Sequence, residues 1–392
     1  MREVVILGAA RTPIGKFQGG LAGVPAPRLG SIAVDEAIRR SGVAPDQVDE
    51  VYMGIILAAG LGQAPARQAA IFAGLPNTVP ATTLNKMCGS GLKAVMLGAQ
   101  AIQAGDAEIV VGGGMENMSA APYLLDRART GYRMGHGVLV DSMIKDGLCD
   151  AYTDKLMGSC AELLAREYRI SRAEQDEFAR RSYTRALAAM ESGRFAREIV
   201  PVEAAAGSGP VRHVAEDEEP RRFRPEKIAS LPPAFEENGT VTVANASSIS
   251  DGAAAVVVAS AGVAQRSEAR PIARIVGQAT SATAPEWFTI APAAAIEKLL
   301  KKVGWSKDEV DLYEINEAYA AVVLAVSRKV GLDLDRVNVH GGAVALGHPV
   351  GASGARILTT LLYTMQEREA RRGIAAVCLG GGEAVALAIE RM

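Results

Sequence analysis

The chain has 392 residues and a formal net charge of −2, from 42 basic and 44 acidic side chains. This length predicts two or three domains with a large buried core. The near balance of charge gives no attraction to nucleic acid or to an anionic membrane, so neither is an expected partner. No apolar run approaches the ~20 residues of a membrane-spanning helix. The amino-terminal "MREVVILGAARTPIGKF" reads as a strand and a loop, so we expect a cytoplasmic protein.

Short apolar runs alternate with helical patterns over the first third of the chain. The runs "EVVILGAA" and "IVVGGGMEN" are typical of buried strands, whereas "LGSIAVDEAIRRSG" and "GLKAVMLGAQAIQAG" have helical spacing. This order predicts βαβ units and therefore an α/β fold.

The same landmarks return in the last third of the chain. "DQVDEVYMG" is echoed by "DEVDLYEIN", "GSGLKAVMLGAQAI" by "GASGARILTTLLYTM", and "IVVGGGMEN" by "AVCLGGGEA". Echoes in the same order and at nearly constant spacing indicate an internal duplication, in which each half forms one α/β layer system.

The segment between the two repeats, residues 119–248, is richer in charge. Within it, "SRAEQDEFARRSYTRALAAM" begins with the capping box of Ser171 and Glu174, which predicts an amphipathic helix, and "AEDEEPRRFRPEK" is typical of a loop. Irregular segments held by a rigid scaffold often carry binding residues, so this insertion is a candidate substrate-binding flap.

Cys88 lies in "NKMCGSGLKAV", directly before a predicted helix. A thiol at a helix amino terminus is expected to favour the nucleophilic thiolate, because the unpaired N–H groups carry partial positive charge. A buried structural cysteine explains the position equally well. The other three cysteines, Cys149, Cys160 and Cys378, show no metal-ligand or disulfide spacing.

The same stretch contains "GSGLKA", which fits the G-x-G-x-x-A fingerprint of dinucleotide-binding proteins. That fingerprint requires a preceding strand, and "TLNKM" is a poor apolar strand. We therefore interpret the glycines as allowing a substrate to approach the backbone near Cys88, rather than as a nicotinamide site.

Candidate partners for the Cys88 thiol come from the second repeat. His348 lies in the glycine-rich "HGGAVALGHPVGASG", Cys378 ends an apolar strand before three glycines, and Asn316 lies in "EINEAYA". A lone histidine is often only a hydrogen-bonded polar residue. The duplication, however, predicts that the His348 loop occupies in the second half the place of the Cys88 loop in the first, so that the two meet across a pseudo-twofold axis.

Five motifs occur in one order along the chain. They are "NKMCGSG" around Cys88, "GGGMENMS" at 112–119, "NEAYA" at 316–320, "GGAVALGHPVGASGAR" at 341–356 and "CLGGGEA" at 378–384. With these motifs essentially the whole chain resembles the thiolase family, and it resembles the acetyl-CoA acetyltransferase branch more closely than the long-chain degradative branch.

The resemblance implies a layered α-β-α-β-α core. One α/β half would comprise residues 1–118 plus 249–268, the other 269–392, with an inserted loop domain at 119–248. It also implies the reversible condensation of two acetyl-CoA molecules to acetoacetyl-CoA and CoA, or thiolytic cleavage of short 3-ketoacyl-CoA. CoA thioesters would be the substrates, no further cofactor would be required, and the assembly would be a homotetramer built as a dimer of dimers.

The resemblance further implies catalytic roles for five residues. Cys88 is the nucleophile that takes the acyl group as a thioester. His348 activates it and donates to the thioester oxygen, and Asn316 holds a water that completes this oxyanion hole. Cys378 is the acid/base, and the backbone N–H groups of Cys88 and Gly380 form a second oxyanion hole.

CoA binding is implied at eight positions: Met157, Arg221, Phe235, Ala244, Ser247, Phe288, Ala318 and Tyr319. Arg221, with Arg222 and Arg224, could contact the phosphates, although a solvated charge run is the commoner explanation. Some short-chain relatives bind potassium, for which the comparable positions here are Tyr183, Ala244 and Val344; no other metal site is implied.

Two positions depart from the short-chain pattern. Leu156 stands where the acetyl-specific pattern usually has histidine, and Phe288 stands where many short-chain members have methionine. Both are expected near the acyl and pantetheine pocket, so they bear on the length of the acyl chain.

Three alternative functions follow from the same residues. The first is a broader-range degradative 3-ketoacyl-CoA thiolase of β-oxidation. The second is a decarboxylating ketoacyl synthase, but such enzymes typically pair their cysteine with two histidines, and Cys378 before three glycines argues against it. The third is a non-catalytic CoA or acyl-lipid binding protein. It is the weakest alternative, because the chain has the intact set of Cys88, Asn316, His348 and Cys378.

Overall fold

The computed structural model describes residues 2–205, 211–266 and 269–392. The strands in these ranges are β1 (Val4–Arg11), β2 (Gly15–Lys16), β3 (Glu50–Gly54), β4 (Ala81–Leu84), β5 (Ile109–Asn117), β6 (Tyr123–Leu124), β7 (Val140–Asp141), β8 (Val202–Ala205), β9 (Val211–Val214), β10 (Ser250–Ser260), β11 (Ala273–Ala282), β12 (Leu312–Ile315), β13 (Arg372–Leu379) and β14 (Glu383–Arg391).

The α-helices are α1 (Ala26–Ser41), α2 (Pro65–Phe72), α3 (Ser90–Ala104), α4 (Met157–Glu167), α5 (Arg172–Glu191), α6 (Ala261–Arg266), α7 (Ala291–Val303), α8 (Ala320–Val330), α9 (Ala343–Leu346) and α10 (Ser353–Glu367). Short 3₁₀ segments connect several of them, and a π-helical segment spans Met143–Leu148. No helix in the described ranges has both the length and the apolar character needed to cross a bilayer.

Ten strands form one mixed sheet, in the order β12-β13-β14-β11-β1-β10-β5-β3-β4, with β2 paired to β10. The first half contributes β1-β10-β5-β3-β4, and the second contributes β11-β14-β13-β12, followed by a parallel bridge between Tyr313 and Val337. The same order in both halves confirms the predicted duplication. Strands β1 and β11 pair over three residues, from Val4 to Ile6, and so join the halves.

Apolar clusters on both faces of each half produce the layers. The central cluster joins α3 and α10 to strands of both halves, through side chains such as Leu92, Met96, Ile357 and Leu361. A second cluster packs α1 and α2 on the outer face of the first half, and a third packs α7 and α8 on the outer face of the second. Because each fully buried Leu or Ile stabilises the fold by roughly 1.5–3 kcal/mol, these three faces hold the layers together. The predicted α-β-α-β-α architecture is confirmed.

The amino-terminal ends of α3 and α10 are in close contact. A Cβ atom added to Gly91 would lie 2.8 Å from the Ala355 nitrogen, and one added to Gly354 would lie 2.5 Å from the Leu92 nitrogen. Only glycine permits this approach. The loops that precede the two helices, which carry Cys88 and His348, are therefore brought together, as the duplication predicts.

A strand does precede the Cys88 loop, so the expectation that it would be missing is wrong. Residues Ala81–Leu84 form β4, which pairs in parallel with β3. It lies at the edge of the sheet and its side chains are only partly covered, so its sequence has no continuous apolar run. The fingerprint glycines nevertheless serve packing, because a Cβ on Gly89 would lie 2.5 Å from the Leu379 side chain.

The insertion carries α4, α5 and the two hairpins β6-β7 and β8-β9. The predicted capping box of α5 is confirmed: the Ser171 hydroxyl accepts from the Glu174 N–H at 3.2 Å, and the Glu174 carboxylate accepts from the Ser171 N–H at 2.7 Å. Helix α4 shares the apolar cluster of the second half, in which Leu164 is buried with Ala318. The insertion is thus packed against the part of the fold that carries Asn316 and His348.

Strand β5 explains the run of three glycines. A Cβ on Gly114 would lie 2.1 Å from the Gly351 carbonyl oxygen and 2.9 Å from the Ala352 Cα, both in the loop that carries His348. We expect Gly114→Ala to lower the free energy of unfolding by about 1–3 kcal/mol, because backbone must shift to admit the methyl group. Urea unfolding measures the change. Gly252→Ala on the neighbouring β10, where the nearest atoms are 3.4 Å away, is the control, and equal midpoints for the two variants would contradict the expectation.

Candidate active site

An apolar cavity of about 450 Å³ opens between the insertion and the two repeats, with Cys88 and His348 in its wall. Its other lining residues are mainly apolar: Met118, Met143, Ile144, Gly147, Leu148, Leu156, Met157, Gly158, Ala234, Phe235, Val243, Ala246, Ser247, Ser248, Ile249, Phe288, Ala318, Tyr319 and Val350. Six of the eight predicted CoA-binding positions are in this wall, namely Met157, Phe235, Ser247, Phe288, Ala318 and Tyr319. Both residues that depart from the short-chain pattern, Leu156 and Phe288, also lie there.

Cys88 is held by a tight turn between β4 and α3. Met87, the preceding residue, has a left-handed backbone with φ of 47°, a conformation that non-glycine residues adopt at some energetic cost and that is common at functional sites. The turn is supported by the Asn85 side chain, which accepts from the Met87 N–H at 2.9 Å, and by the Ser90 hydroxyl, which accepts from the Lys86 N–H at 2.8 Å. Helix α3 begins at Ser90, so Cys88 stands two residues before the first helical residue.

Burial governs the ionisation of Cys88. Burial, with a smaller contribution from the nearby Glu116 carboxylate, raises the pKa of the thiol to about 12. The N–H groups of Gly380 and of Cys88 itself donate to the sulfur and lower the pKa, but their effect is smaller. The expectation of a resting thiolate at the helix terminus is therefore wrong. Removal from water disfavours the charged sulfur more than these N–H donors stabilise it, so the resting group is a thiol.

His348 is buried and hydrogen-bonded on both ring nitrogens. Its Nδ1 lies 2.5 Å from the Ser353 Oγ, and its Nε2 lies 3.4 Å from the Asn316 Nδ2. Burial, followed by the positive charge of Arg356, lowers the pKa of the imidazole to about 3. The ring is thus neutral at physiological pH, and one nitrogen has a lone pair available to accept a proton.

Asn316 follows β12 and is completely buried. Its backbone N–H donates to the Ala376 carbonyl at 2.9 Å, which fixes the residue beside the end of β13. Its side-chain Oδ1 has no hydrogen-bond partner among the described residues. Because buried polar atoms are normally satisfied, this oxygen is a natural acceptor for a bound water.

Cys378 and Gly380 approach Cys88 from the end of β13. Cys378 is 1% exposed, and its burial, followed by the proximity of Cys88, raises its pKa. The Gly380 N–H donates to the Cys88 sulfur. The structure therefore brings together all five residues for which catalytic roles were predicted, four from the second repeat and Cys88 from the first.

Of the positions predicted to bind CoA or potassium, four lie outside the cavity wall. Arg221 is exposed and donates two hydrogen bonds to Glu216, at 3.0 and 2.8 Å. The Ala244 N–H donates to a threonine hydroxyl, although its neighbour Val243 lines the cavity. The Tyr183 ring stacks on a phenylalanine with centroids 4.2 Å apart, and the Val344 N–H donates to a glutamate. Phosphate binding at Arg221 and potassium binding at the other three stay predictions.

Two contributing residues were not predicted from the sequence, Ser353 and Glu116. The Glu116 carboxylate accepts from the N–H groups of Ile56, Leu57 and Gly351 at 2.9–3.1 Å, and burial raises its pKa to about 7. It therefore links a loop of the first half to the His348 loop. Both residues lie inside the quoted motifs. For Glu116, the sequence feature that indicates a special role is an acidic residue within a strand that is otherwise predicted to be buried. In the described ranges, no three His, Cys, Asp or Glu side chains cluster as metal ligands.

Comparison with known proteins agrees with this geometry along the whole chain. The family model of the thiolase N-terminal domain matches residues 4–262, and that of the thiolase C-terminal domain matches residues 269–391. An acetyl-CoA acetyltransferase of Pseudomonas aeruginosa is 53% identical over 392 residues, with 100% of both chains covered. One of Schizosaccharomyces pombe is 50% identical over 391 residues, covering 100% of this chain and 99% of the relative.

A solved structure has the same fold. The Bacillus anthracis acetyl-CoA acetyltransferase superimposes with a TM-score of 0.98 and 44% identity, covering 100% of this chain and 99% of that one. Two family models that together span nearly all residues, and relatives of about 50% identity over full length, leave one conclusion. The chain belongs to the thiolase family.

Proposed function

We propose that this thiolase is an acetyl-CoA acetyltransferase, which reversibly condenses two acetyl-CoA molecules to acetoacetyl-CoA and free CoA. The observation that carries the proposal is the meeting of Cys88 and His348 in the wall of an apolar cavity, with the buried Cys378 thiol close to Cys88 behind that wall. The full-length similarity to acetyl-CoA acetyltransferases supports acetyl-CoA as the substrate.

In the first half-reaction, the Cys88 sulfur attacks the carbonyl carbon of acetyl-CoA. As that bond forms, the Cys88 proton moves to His348 Nε2, the bond from the carbonyl carbon to the CoA sulfur breaks, and Cys378 gives its proton to the departing sulfur. The raised pKa of Cys378 supports this step, since the group is a thiol at rest. The result is acetyl-Cys88, free CoA, an imidazolium and a Cys378 thiolate.

In the second half-reaction, the Cys378 thiolate removes an α-proton from a second acetyl-CoA. Thioester α-hydrogens are acidic because sulfur donates poorly to the carbonyl. The enolate attacks the carbonyl carbon of acetyl-Cys88, the bond to the Cys88 sulfur breaks, and His348 returns its proton to that sulfur. Every proton returns to its starting group, so the cycle consumes only CoA thioesters and requires no further cofactor.

Two sets of donors are proposed to stabilise the oxygen anions. The His348 imidazolium and a water held by Asn316 would serve acetyl-Cys88, which the unpartnered Asn316 Oδ1 supports. The N–H groups of Cys88 and Gly380 would serve the other thioester, because both already point at the Cys88 sulfur. Each donor in such a site typically lowers the barrier by about 3 kcal/mol.

The insertion, residues 119–248, is proposed to form a covering domain over CoA. It contributes Met143, Leu148, Met157 and Phe235 to the cavity wall. The proposed contacts to the pantetheine and acyl group are the six predicted positions in that wall, Met157, Phe235, Ser247, Phe288, Ala318 and Tyr319. Their mainly apolar character suits a thioester chain better than a charged metabolite.

The reaction is tested directly with purified protein, acetoacetyl-CoA and CoA. We expect thiolysis, seen as loss of the 3-ketoacyl-CoA absorbance, and a slower condensation of acetyl-CoA. Ping-pong kinetics should accompany both directions. A protein that binds CoA but turns over neither substrate, and that shows no hyper-reactive cysteine towards iodoacetamide, would instead be a non-catalytic binding protein.

A broader-range 3-ketoacyl-CoA thiolase is the second candidate, because Leu156 and Phe288 lie in the cavity wall. We expect short substrates to be preferred, with tolerance for a 2-methyl branch, because Phe288 is bulkier and stiffer than methionine. One methylene changes discrimination by about 1–3 kcal/mol, so Leu156→His and Phe288→Met should alter the ranking of substrates by kcat/KM.

The substrate panel for this test is acetoacetyl-, 2-methylacetoacetyl-, 3-ketohexanoyl- and 3-ketodecanoyl-CoA. Leu163→His is the control, because Leu163 lies in α4, the helix that Leu156 immediately precedes, and is not among the residues of the cavity wall. A wild-type preference for the decanoyl substrate, or an unchanged ranking in both cavity variants, would show that these two positions do not set acyl length.

The proposed assembly is a homotetramer, with residues 123–144 as an interface. This segment exposes a group of large apolar side chains, at Tyr123, Leu125, Met134, Val138, Leu139 and Ile144. Large apolar side chains left exposed in one segment often mark a contact between chains. Light scattering should give a tetramer for the wild type and a smaller species for Val138→Asp, while Val211→Asp, at an exposed valine elsewhere, should stay tetrameric. A monomeric wild type would contradict the proposal.

A further inference from the structure

The hydrogen bonds around His348 determine which ring nitrogen carries the proton. Ser353 is the first residue of α10, is completely buried, and places its Oγ 2.5 Å from Nδ1. The same Oγ lies 2.9 Å from the Pro349 carbonyl oxygen. A carbonyl oxygen only accepts hydrogen bonds, whereas a serine hydroxyl has a single hydrogen to donate.

The Asn316 side of the ring assigns the proton. The Pro349 carbonyl also accepts from the N–H groups of Ala352 and Ser353, both at 2.9 Å, so its contact with the Ser353 hydroxyl does not by itself fix the hydroxyl hydrogen. The Asn316 Nδ2, however, has only hydrogens to offer, so the Nε2 atom accepts. The neutral ring therefore carries its hydrogen on Nδ1, and the Ser353 Oγ accepts it at 2.5 Å.

We propose that Ser353 is a positioning residue that holds His348 in the Nδ1–H tautomer, so that the Nε2 lone pair, held only by the long 3.4 Å contact with Asn316, can receive the Cys88 proton. The inference rests on the proposed function for the use made of Nε2, and on the geometry alone for the tautomer. The opposite tautomer would put the Nε2 hydrogen against the hydrogens of Asn316. The packing of α10 against α3 keeps Ser353 in place.

The first test reads the tautomer in the resting protein by ¹⁵N NMR of labelled histidine. The chain has four histidines, His136, His213, His340 and His348, so the His348 signals are assigned with a His348→Asn variant. We expect a protonated Nδ1 and an unprotonated Nε2 in the wild type. Ser353→Ala should shift the population towards the Nε2–H form, whereas Ser353→Thr, which keeps a hydroxyl, should retain the wild-type pattern.

The second test measures acetylation of Cys88 in a single turnover. Ser353→Ala should slow acetylation roughly 10- to 100-fold, by analogy with the loss of a hydrogen bond that orients a metal-bound histidine, with KM nearly unchanged. Ser327→Ala is the matched control, because Ser327 is also buried in a helix but its hydroxyl has no partner among the described residues. Its acetylation rate and spectrum should equal those of the wild type.

The outcomes separate the two proposals. A wild-type spectrum with the proton on Nε2, or a Ser353→Ala spectrum identical to the wild type, would overturn the role of Ser353 whether or not the enzyme is active. If Ser353→Ala does not fold, the wild-type spectrum and the spectrum of Ser353→Thr still test whether Ser353 sets the tautomer of His348. Failure of acetyl transfer in a wild-type protein that shows the expected tautomer would instead overturn the proposed function.

Discussion

Replacing Cys88 with serine is expected to abolish the acyl-enzyme and to lower kcat by at least ~10³-fold, equivalent to about 4 kcal/mol of barrier. Cys88 is the only cysteine in the wall of the described cavity. Burial keeps its sulfur protonated at rest, so the attack depends on passing the proton to the neutral His348 ring. A serine hydroxyl is a far weaker acid than a thiol. The His348 ring therefore cannot remove its proton to the same extent.

Intact-protein mass spectrometry after mixing with acetyl-CoA gives the readout. The wild type should gain one acetyl group on the peptide that contains Cys88, and Cys88→Ser should gain none within the same time. Cys149→Ser is the control, because Cys149 is likewise partly exposed but does not line the cavity. An acetyl group retained on the Cys88→Ser protein, or mapped to another residue in the wild type, would contradict the assignment.

The duplication is the part of the architecture that could be predicted best. Strands such as Val4–Arg11 and Ile109–Asn117 are fully buried and therefore mostly apolar, so the sequence pattern of each half predicts its strands and their order. Equivalent loops in two repeats lie at equivalent places. That geometric rule predicts His348 opposite Cys88 from the sequence alone.

What could not be predicted depends on packing between distant segments. Edge strand β4 has one exposed and one half-buried threonine, Thr82 and Thr83, and so lacks an apolar signal. The Cys88 pKa depends on how much water the surrounding protein removes, and no local sequence pattern encodes that. The position next to a helix terminus predicts a lowered pKa, whereas burial raises it. The role of Ser353 depends on a hydroxyl that is shared between Pro349 and His348, a three-centre arrangement that is visible only in the folded chain.

Replacing Cys378 with alanine is expected to separate the two half-reactions. Acetylation of Cys88 should continue at a modestly reduced rate, because the departing CoA thiolate comes from a thiol of pKa near ~8.5 and is stable in water without a proton from Cys378. Condensation should fall by ~10³-fold or more, because the α-carbon of acetyl-CoA does not ionise at neutral pH without a base, and such a base typically contributes 10²–10⁴-fold. The variant should therefore accumulate acetyl-enzyme.

The separation is measured by following both steps in one preparation. Rapid-quench mass spectrometry reports acetyl-Cys88, and the formation of acetoacetyl-CoA reports condensation. Cys160→Ala is the control for loss of a buried thiol, because Cys160 is 0% exposed in α4 and does not line the cavity. The Cys160→Ala protein should acetylate Cys88 and form acetoacetyl-CoA at the wild-type rates.

Retention of condensation in Cys378→Ala would require another base near the cavity. The described alternatives are poor, because His348 is protonated once Cys88 has been acetylated, and Glu116 has both carboxylate oxygens occupied by three backbone N–H groups. An equal loss of acetylation and condensation would lead to a different conclusion about the first half-reaction. Cys378 would then be needed to protonate CoA as it leaves, and the barrier of the first half-reaction would lie in the departure of the sulfur rather than in the attack by Cys88.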